Sequence, residues 1–369
     1  MTERPDTSPA SADLHPRLRA ALDRVPAYVP GKPARAPEGV TAYKLSSNEN
    51  PFPPLDSVRV VLDKQLDTIN RYPDMASVDL IAAIAAFVGC DPANIAVGTG
   101  SVGILGQIVQ STCDAGDEVV YAWRSFEAYP IVAALADAVG VPVAVDEGQR
   151  HRLDAMAAAV TDRTRVVIVC SPNNPTGTVV HRAELEAFLQ AVPRHVLVVL
   201  DEAYTEFVTD PDAPDAIEVW RANPNVMVLR TFSKAYGLAG LRVGYAVAHE
   251  AVAAALRKTA VPFGVNSLAQ AAAIASLEAR DELMVRVRDI VAERERVAAG
   301  LAEQGWALAP SEANFVWFPI GTDGAAFAEA CEAAGLMVRR YGDDGVRVTI
   351  GEPEANTRFL EVCRTFGPR

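Results

Sequence analysis

Between about residues 95 and 245 the chain alternates short apolar runs with longer amphipathic stretches. The runs at 95–97, 118–122, 143–145, 166–170, 196–200, 226–229 and 243–247 read as strands. Several are apolar throughout, the pattern of strands covered on both faces in a mostly parallel sheet. Helical periodicity at 75–88 and 183–191 flanks them, and the alternation predicts an α/β fold. After Glu250 the texture changes. Alanine-rich helical stretches cover 267–277 and 281–304, strand-like pieces follow at 315–318, 337–338 and 346–350, and a helix is expected over 325–334. The pattern divides the chain into an N-terminal tail and arm over 1–43, a large α/β domain over 44–250 and a smaller α+β domain over 251–369. The polar start, Thr2-Glu-Arg-Pro-Asp-Thr-Ser-Pro, lacks the apolar core of a signal peptide and reads as a floppy tail. The rest of the arm is expected to pack with the smaller domain or to cross to another subunit.

Three consecutive apolar runs end in polar loops. The run ending at Cys170 leads into Ser171-Pro-Asn-Asn-Pro-Thr-Gly177, the run ending at Leu200 into Asp201-Glu-Ala-Tyr204, and the run ending at Leu229 through Arg230-Thr-Phe into Ser233-Lys234. Ligands of open α/β sheets bind outside the carboxyl ends of the strands, so the three loops converge on one crevice. Lys234 alone would be an ordinary solvated lysine. At a dry strand end it can lose its proton and form Schiff bases with carbonyl groups. Thr231, Ser233 and Arg242 supply donors for a phosphate, and a lysine that bonds an aldehyde beside a phosphate clamp points to pyridoxal phosphate (PLP). Asp201 begins poorly solvated and needs a cation or several donors. A protonated pyridine nitrogen serves, and a helix N-cap is the plainer alternative. Asn174, held extended or turned by Pro175, and Tyr204 can each donate to a ring oxygen, although Asn-Asn-Pro-Thr-Gly by itself reads as a turn. Phe126 and Tyr129 follow the 118–122 strand, where an aromatic ring can stack on a flat cofactor or simply fill the core.

Gly98-Thr-Gly100-Ser-Val-Gly103 fits the dinucleotide fingerprint. Its acidic partner is missing, because the next strand ends in Trp123-Arg124 and its acids, Asp117 and Glu118, lie at the wrong end. The loop reads instead as a helix N-terminus that holds a phosphate, with Gly100, Ser101 and Val102 as the binding turn.

Bulk chemistry narrows the classes. A net charge of −13 repels nucleic acid and anionic membranes, and no apolar run approaches a membrane span. The five cysteines and five histidines are dispersed, without zinc-site spacing. No metal is expected, and the thiols read as reduced in a cytoplasmic protein.

With these residues assembled, the chain resembles the fold-type I PLP aminotransferases over nearly its whole length. It is most similar to the histidinol-phosphate aminotransferase family. The matching pieces are Tyr28-Val-Pro-Gly-Lys, Leu45-Ser-Ser-Asn-Glu-Asn-Pro51, Arg71-Tyr-Pro73, Ser171 to Gly177, Asp201 to Tyr204, Ser233 to Gly244, Ala313-Asn-Phe-Val316 and Val346-Arg-Val-Thr-Ile-Gly351. The resemblance implies a mostly parallel seven-stranded sheet and a catalytic set of Lys234, Asp201 and Tyr204. Lys234 would carry the cofactor and move the α-proton, and Asp201 would pair with the ring nitrogen. Asn174 and Tyr204 would bind the ring oxygen and Phe126 would stack on the ring. Gly100, Ser101, Val102, Thr231, Ser233 and Arg242 would form the phosphate site. Tyr72 would reach the phosphate of a neighbouring subunit, which implies a homodimer. Arg347 would grip the substrate α-carboxylate by a two-pronged contact. Tyr28, Asn50 and Arg339 would complete the substrate site.

The reaction implied is ping-pong transfer of an amino group between an amino acid and a 2-oxo acid, here 2-oxoglutarate. Two substrates are open. Arg339 aligns with the arginine that would hold the phosphate of histidinol phosphate. Trp123-Arg-Ser-Phe-Glu-Ala-Tyr-Pro130 and Ala260-Val-Pro-Phe-Gly-Val-Asn266 resemble the actinobacterial branch that acts on phenylalanine and other aromatic amino acids. The loop between Arg339 and Arg347 is also short, and the expectation is an aromatic amino acid.

Overall fold

The computed structural model describes residues 18–19, 22–23, 25, 31, 33, 36 and 38–368. In chain order its strands are β1 (Tyr43–Lys44), β2 (Ile95–Gly98), β3 (Glu118–Trp123), β4 (Val139–Ala144), β5 (Thr164–Cys170), β6 (Leu197–Asp201), β7 (Val226–Thr231), β8 (Gly244–Val247), β9 (Phe315–Phe318), β10 (Leu336–Met337), β11 (Arg339–Tyr341) and β12 (Gly345–Thr349). Seven of them form one sheet in the order β2-β8-β7-β6-β5-β3-β4. Only β8 is antiparallel to its neighbours, β2 and β7; the other pairs are parallel.

The uninterrupted apolar runs have a direct cause. Side chains alternate across a strand, and here both faces are dry. Val166 and Ile168 of β5, Leu197 and Val199 of β6, and Met227 and Leu229 of β7 enter one core. Val167 and Val169, Val198 and Leu200, and Val226 and Val228 enter the other. β4 differs from the expected 143–145. It starts at Val139 and carries Gly140 and Pro142, residues that break an apolar run and are tolerated at a sheet edge, where β4 lies. The helix expected from residue 75 is Val78–Val88. Asp74 accepts from the Ala76 and Val78 N–H groups at 3.0 and 2.7 Å and Ser77 is left-handed at φ 49°, so 75–77 is a turn.

The C-terminal part builds an antiparallel sheet, β11-β12-β9. The single strand expected at 337–338 divides. β10 pairs in parallel with β1, and β11 pairs with β12 so that Arg339 lies opposite Arg347. The helix Glu250–Thr259 packs back on the large sheet: Ala253 and Leu256 share a core with Ile104 and Ile108, and Arg257 donates to the Ile95 carbonyl at 2.6 Å.

The long helix Arg280–Glu303 buries Leu283, Val287, Ile290, Arg294, Val297 and Leu301, a stripe at alternating four- and three-residue spacing. Arg294 stands where a hydrophobe is expected. It donates to the Phe207 carbonyl at 2.9 Å and to Thr209 Oγ1 at 3.1 Å, and pairs with Glu312 at 3.4 Å. The guanidinium joins this helix to the loop after β6. Arg294→Ala takes the donor from the buried Phe207 carbonyl and the packed stem from the helix stripe, and is expected to lower unfolding stability by about 3 kcal/mol, read from urea denaturation at neutral pH.

Candidate active site

A cavity of about 190 Å³ opens at the carboxyl ends of β5, β6 and β7, roofed by residues of β11 and β12. One end is an anion cradle. The helix Gly100–Thr112 points its free N–H groups there, and Ser101 and Val102 line the wall. Gly100 has φ +77°, and a Cβ on it would sit 2.5 Å from an Arg242 guanidinium nitrogen. Glycine therefore lets Arg242 close over the helix end. Arg242 Nη1 donates to Ser233 Oγ at 3.2 Å, and the Ser233 N–H donates to Thr231 Oγ1 at 3.1 Å. The cradle gathers the cationic fork, two hydroxyls and a helix N-terminus around one small volume.

The opposite polar group is Asp201, the last residue of β6, 2% exposed. Tyr129 donates to its Oδ2 at 2.8 Å, and Oδ1, which has no partner, belongs to a residue that lines the cavity. Burial raises its carboxyl to about 6, against the hydrogen bond from Tyr129, which lowers it. Tyr129, considered above as a stacking ring, is thus a donor to the carboxylate, while Phe126 lines the cavity.

Lys234 lies between these ends, partly exposed, and its Nζ donates to the Ser47 carbonyl at 3.0 Å. Burial first, then Arg347, with Arg242 also contributing, lowers its amine to about 7. Tyr204 accepts from Asn48 Nδ2 at 2.9 Å, and burial pushes its phenol above the ordinary range. Arg347 donates to Asn174 Oδ1 and to the Ser46 carbonyl; its Nε is buried without a partner. Holding the Asn174 oxygen leaves the amide N–H groups as that residue's free chemistry. Arg339 lines the cavity and is paired with Glu127 at 2.7 Å.

Several expected residues stand apart. Tyr72 is 82% exposed, outside the cavity lining, with its ring on Phe263 at a centroid distance of 4.6 Å. Asn50 does not line the cavity. Its amide donates to the Ala235 carbonyl at 2.8 Å, so it holds the turn that carries Lys234. Gly100 lies behind Arg242, and Tyr28 falls outside the described residues. The sequence reading missed Asn48, Ser46, Ser47 and Tyr341. Asn48 is left-handed at φ 53° and joins Tyr204 to Thr349, with Thr349 Oγ1 3.0 Å from its Oδ1. It sits in the Leu45–Pro51 motif, but no spacing rule aims it at a tyrosine 156 residues away.

The lowered amine has a sign. Between about 7 and the ordinary 10.5 the unfolded chain holds the proton and the folded chain does not, so this group's contribution to stability rises with pH across that window. In cofactor-stripped protein, modification of Lys234 by an amine-reactive reagent is expected to be half-maximal near pH 7, read by peptide mass spectrometry. A midpoint near that of free lysine contradicts the dry site.

The family model "Aminotransferase class I and II" matches residues 41–362. A protein of Streptomyces coelicolor named aromatic amino acid aminotransferase is 59% identical, over 96% of this chain and 99% of its own length. One of the same name from Mycobacterium bovis is 52% identical over 95% and 98%. The crystal structure of histidinol-phosphate aminotransferase from Sinorhizobium meliloti, in complex with pyridoxal-5'-phosphate, superposes with a TM-score of 0.82 at 32% identity, covering 89% of this chain and 92% of that one. The chain belongs to the class I and II aminotransferases, whose fold its sheet reproduces.

Proposed function

We propose that this protein is a PLP-dependent aminotransferase that moves the amino group of an aromatic amino acid, phenylalanine and also tyrosine, to 2-oxoglutarate by a ping-pong reaction. One observation carries the reading. A lysine amine brought to about 7 shares a cavity with an unpartnered carboxylate oxygen and a buried arginine held by neutral acceptors. The residues fit the cofactor. Asp201 Oδ1 lacks the proton donor that a pyridinium nitrogen is, and the cradle of Ser101, Thr231, Ser233 and Arg242 has the donors of a phosphate site. The relatives named above support both the cofactor and the aromatic substrate.

Bound PLP supplies an aldehyde for amines and a ring that takes up electrons from the substrate α-carbon. The chain's residues do the rest. Asp201, ionised above about 6, keeps the ring nitrogen protonated. Asn174 and Tyr204 would donate to the ring oxygen, and Phe126 would cover the ring; all three line the cavity. Arg347 holds the α-carboxylate, which orients the α-hydrogen toward Lys234. The neutral Lys234 amine takes that proton and returns it one position away, acting as base and then acid near its own pKa.

Histidinol phosphate is the weaker reading, because Glu127 already engages Arg339. We further propose a homodimer with Tyr72 reaching the partner's cofactor. Ile69, Tyr72, Met75, Val78, Val261 and Phe263 are exposed apolar side chains, with the Tyr72 ring against Phe263, the kind of surface a second subunit covers. Among the described residues no helix is long and apolar enough to cross a membrane. The cysteines are free thiols, which fits a reducing cytoplasm.

Borohydride treatment of the purified protein should fix the cofactor on Lys234, located by peptide mapping. Lys234→Ala should lose the label and at least about 10³-fold in kcat, as removal of a covalent and proton-transferring group does. With 2-oxoglutarate as acceptor, phenylalanine should be turned over faster than histidinol phosphate; the reverse order overturns the substrate assignment.

A further inference from the structure

Three arginines line the cavity, Arg242, Arg339 and Arg347, and their partners differ in kind. Arg242 is held by neutral acceptors, Ser233 Oγ and the Ala239 carbonyl. Arg347 is held by Asn174 Oδ1 and the Ser46 carbonyl. Each keeps its positive charge for an arriving anion. Arg339 instead donates to the Glu127 carboxylate at 2.7 Å, with side-chain exposures of 9% for the arginine and 24% for the glutamate. Beside it Arg124 is paired with Asp344. Both guanidinium groups lie over the Tyr341 ring, at 5.2 and 5.5 Å, and Arg347 approaches the same ring at 5.5 Å. Two regions of the cavity thus carry an uncompensated cation, one for the cofactor phosphate and one for the α-carboxylate. On the side of Tyr341 away from Arg347 the wall is aromatic, and its two arginines, Arg124 and Arg339, are each paired with an acid.

We infer that Glu127 is a specificity-determining residue, whose carboxylate occupies Arg339 and withholds from the substrate side chain the cation that a phosphate or second carboxylate needs. The inference deepens the aromatic reading above and rests on it. An aromatic side chain leaves the ion pair intact and packs on Tyr341. An anionic side chain has to displace Glu127, and the glutamate's partial exposure gives it solvent to turn into. The acceptor 2-oxoglutarate is a dicarboxylate, so it meets this competition in every cycle. Selectivity arises here from a counter-charge that penalises the wrong ligand, not from a contact that rewards the right one. Neither composition nor spacing marks Glu127; the pairing across 212 positions does.

Glu127→Gln keeps the shape and removes the charge. It is expected to lower KM for 2-oxoglutarate by roughly threefold or more. The ratio of kcat/KM for histidinol phosphate to that for phenylalanine should rise by about tenfold, the size of one charge-assisted contact set free. Adding Arg339→Gln should abolish both gains. On the unsubstituted enzyme the monoanion 3-phenylpropanoate should bind about tenfold tighter than the dianion glutarate. A Glu127→Gln protein with unchanged melting temperature and cofactor content, but with both KM and ratio unmoved, overturns the inference. So does retention of the gains in the double variant, or tighter binding of glutarate. If the unsubstituted enzyme prefers histidinol phosphate, the aromatic assignment falls as well, which separates the two failures.

Discussion

An amine with nowhere to keep its proton governs this structure. Lys234 follows β7, at the mouth of a sheet that is dry on both faces, with Arg347 and Arg242 near enough to disfavour another positive charge. A lysine in that position is a nucleophile and a base near neutral pH. The surrounding design answers the cost of such a place. The Ser47 carbonyl accepts from the amine, and Asn50 ties down the turn that carries it. Without the covering strands, water would restore the ordinary ammonium ion.

That cover comes from far along the chain. β12 brings Arg347 over the cavity, and Thr349 on the same strand binds Asn48, which in turn donates to Tyr204. Asn314 Nδ2 donates to the Asn48 carbonyl at 3.3 Å. The segment before the large sheet, the end of β6 and the C-terminal sheet are therefore joined through one left-handed asparagine. The arrangement places the two free cations and the open carboxylate oxygen on different walls of one small space. The electrostatics of the site follow from which arginines have acids for neighbours.

Asp201 and Tyr129 illustrate how burial and hydrogen bonding are set against each other. A fully buried carboxyl tends to take up a proton, which would spoil it as the partner of a cationic ring. The tyrosine hydroxyl below it favours the charged form. The phenol is itself held far above its ordinary range by burial and by the charge of Asp201, so it remains a donor at neutral pH.

The strands of the large sheet were legible because a run such as Val166–Cys170 has one physical explanation, burial on both faces. The loops after β5, β6 and β7 were legible because polar residues directly after such runs must lie at strand ends. Gly100 and Arg242 stand out in the sequence as candidates for a phosphate site, but the 2.5 Å approach between them that makes glycine necessary does not. Edge strand β4 was blurred because Pro142 and Gly140 erase the periodic signal at the place where the sheet tolerates them. Arg294 sits in a helical stripe that periodicity assigns to hydrophobes, since periodicity cannot see the carbonyls that satisfy a buried guanidinium. What the chain settles by itself is local: which runs are dry, where they stop, and which reactive groups stand at the stops. That Arg347 keeps its charge, which Asp201 oxygen is left open, and that Glu127 rather than a ligand holds Arg339 depend on residues 173, 72 and 212 positions apart, and only packing decides them.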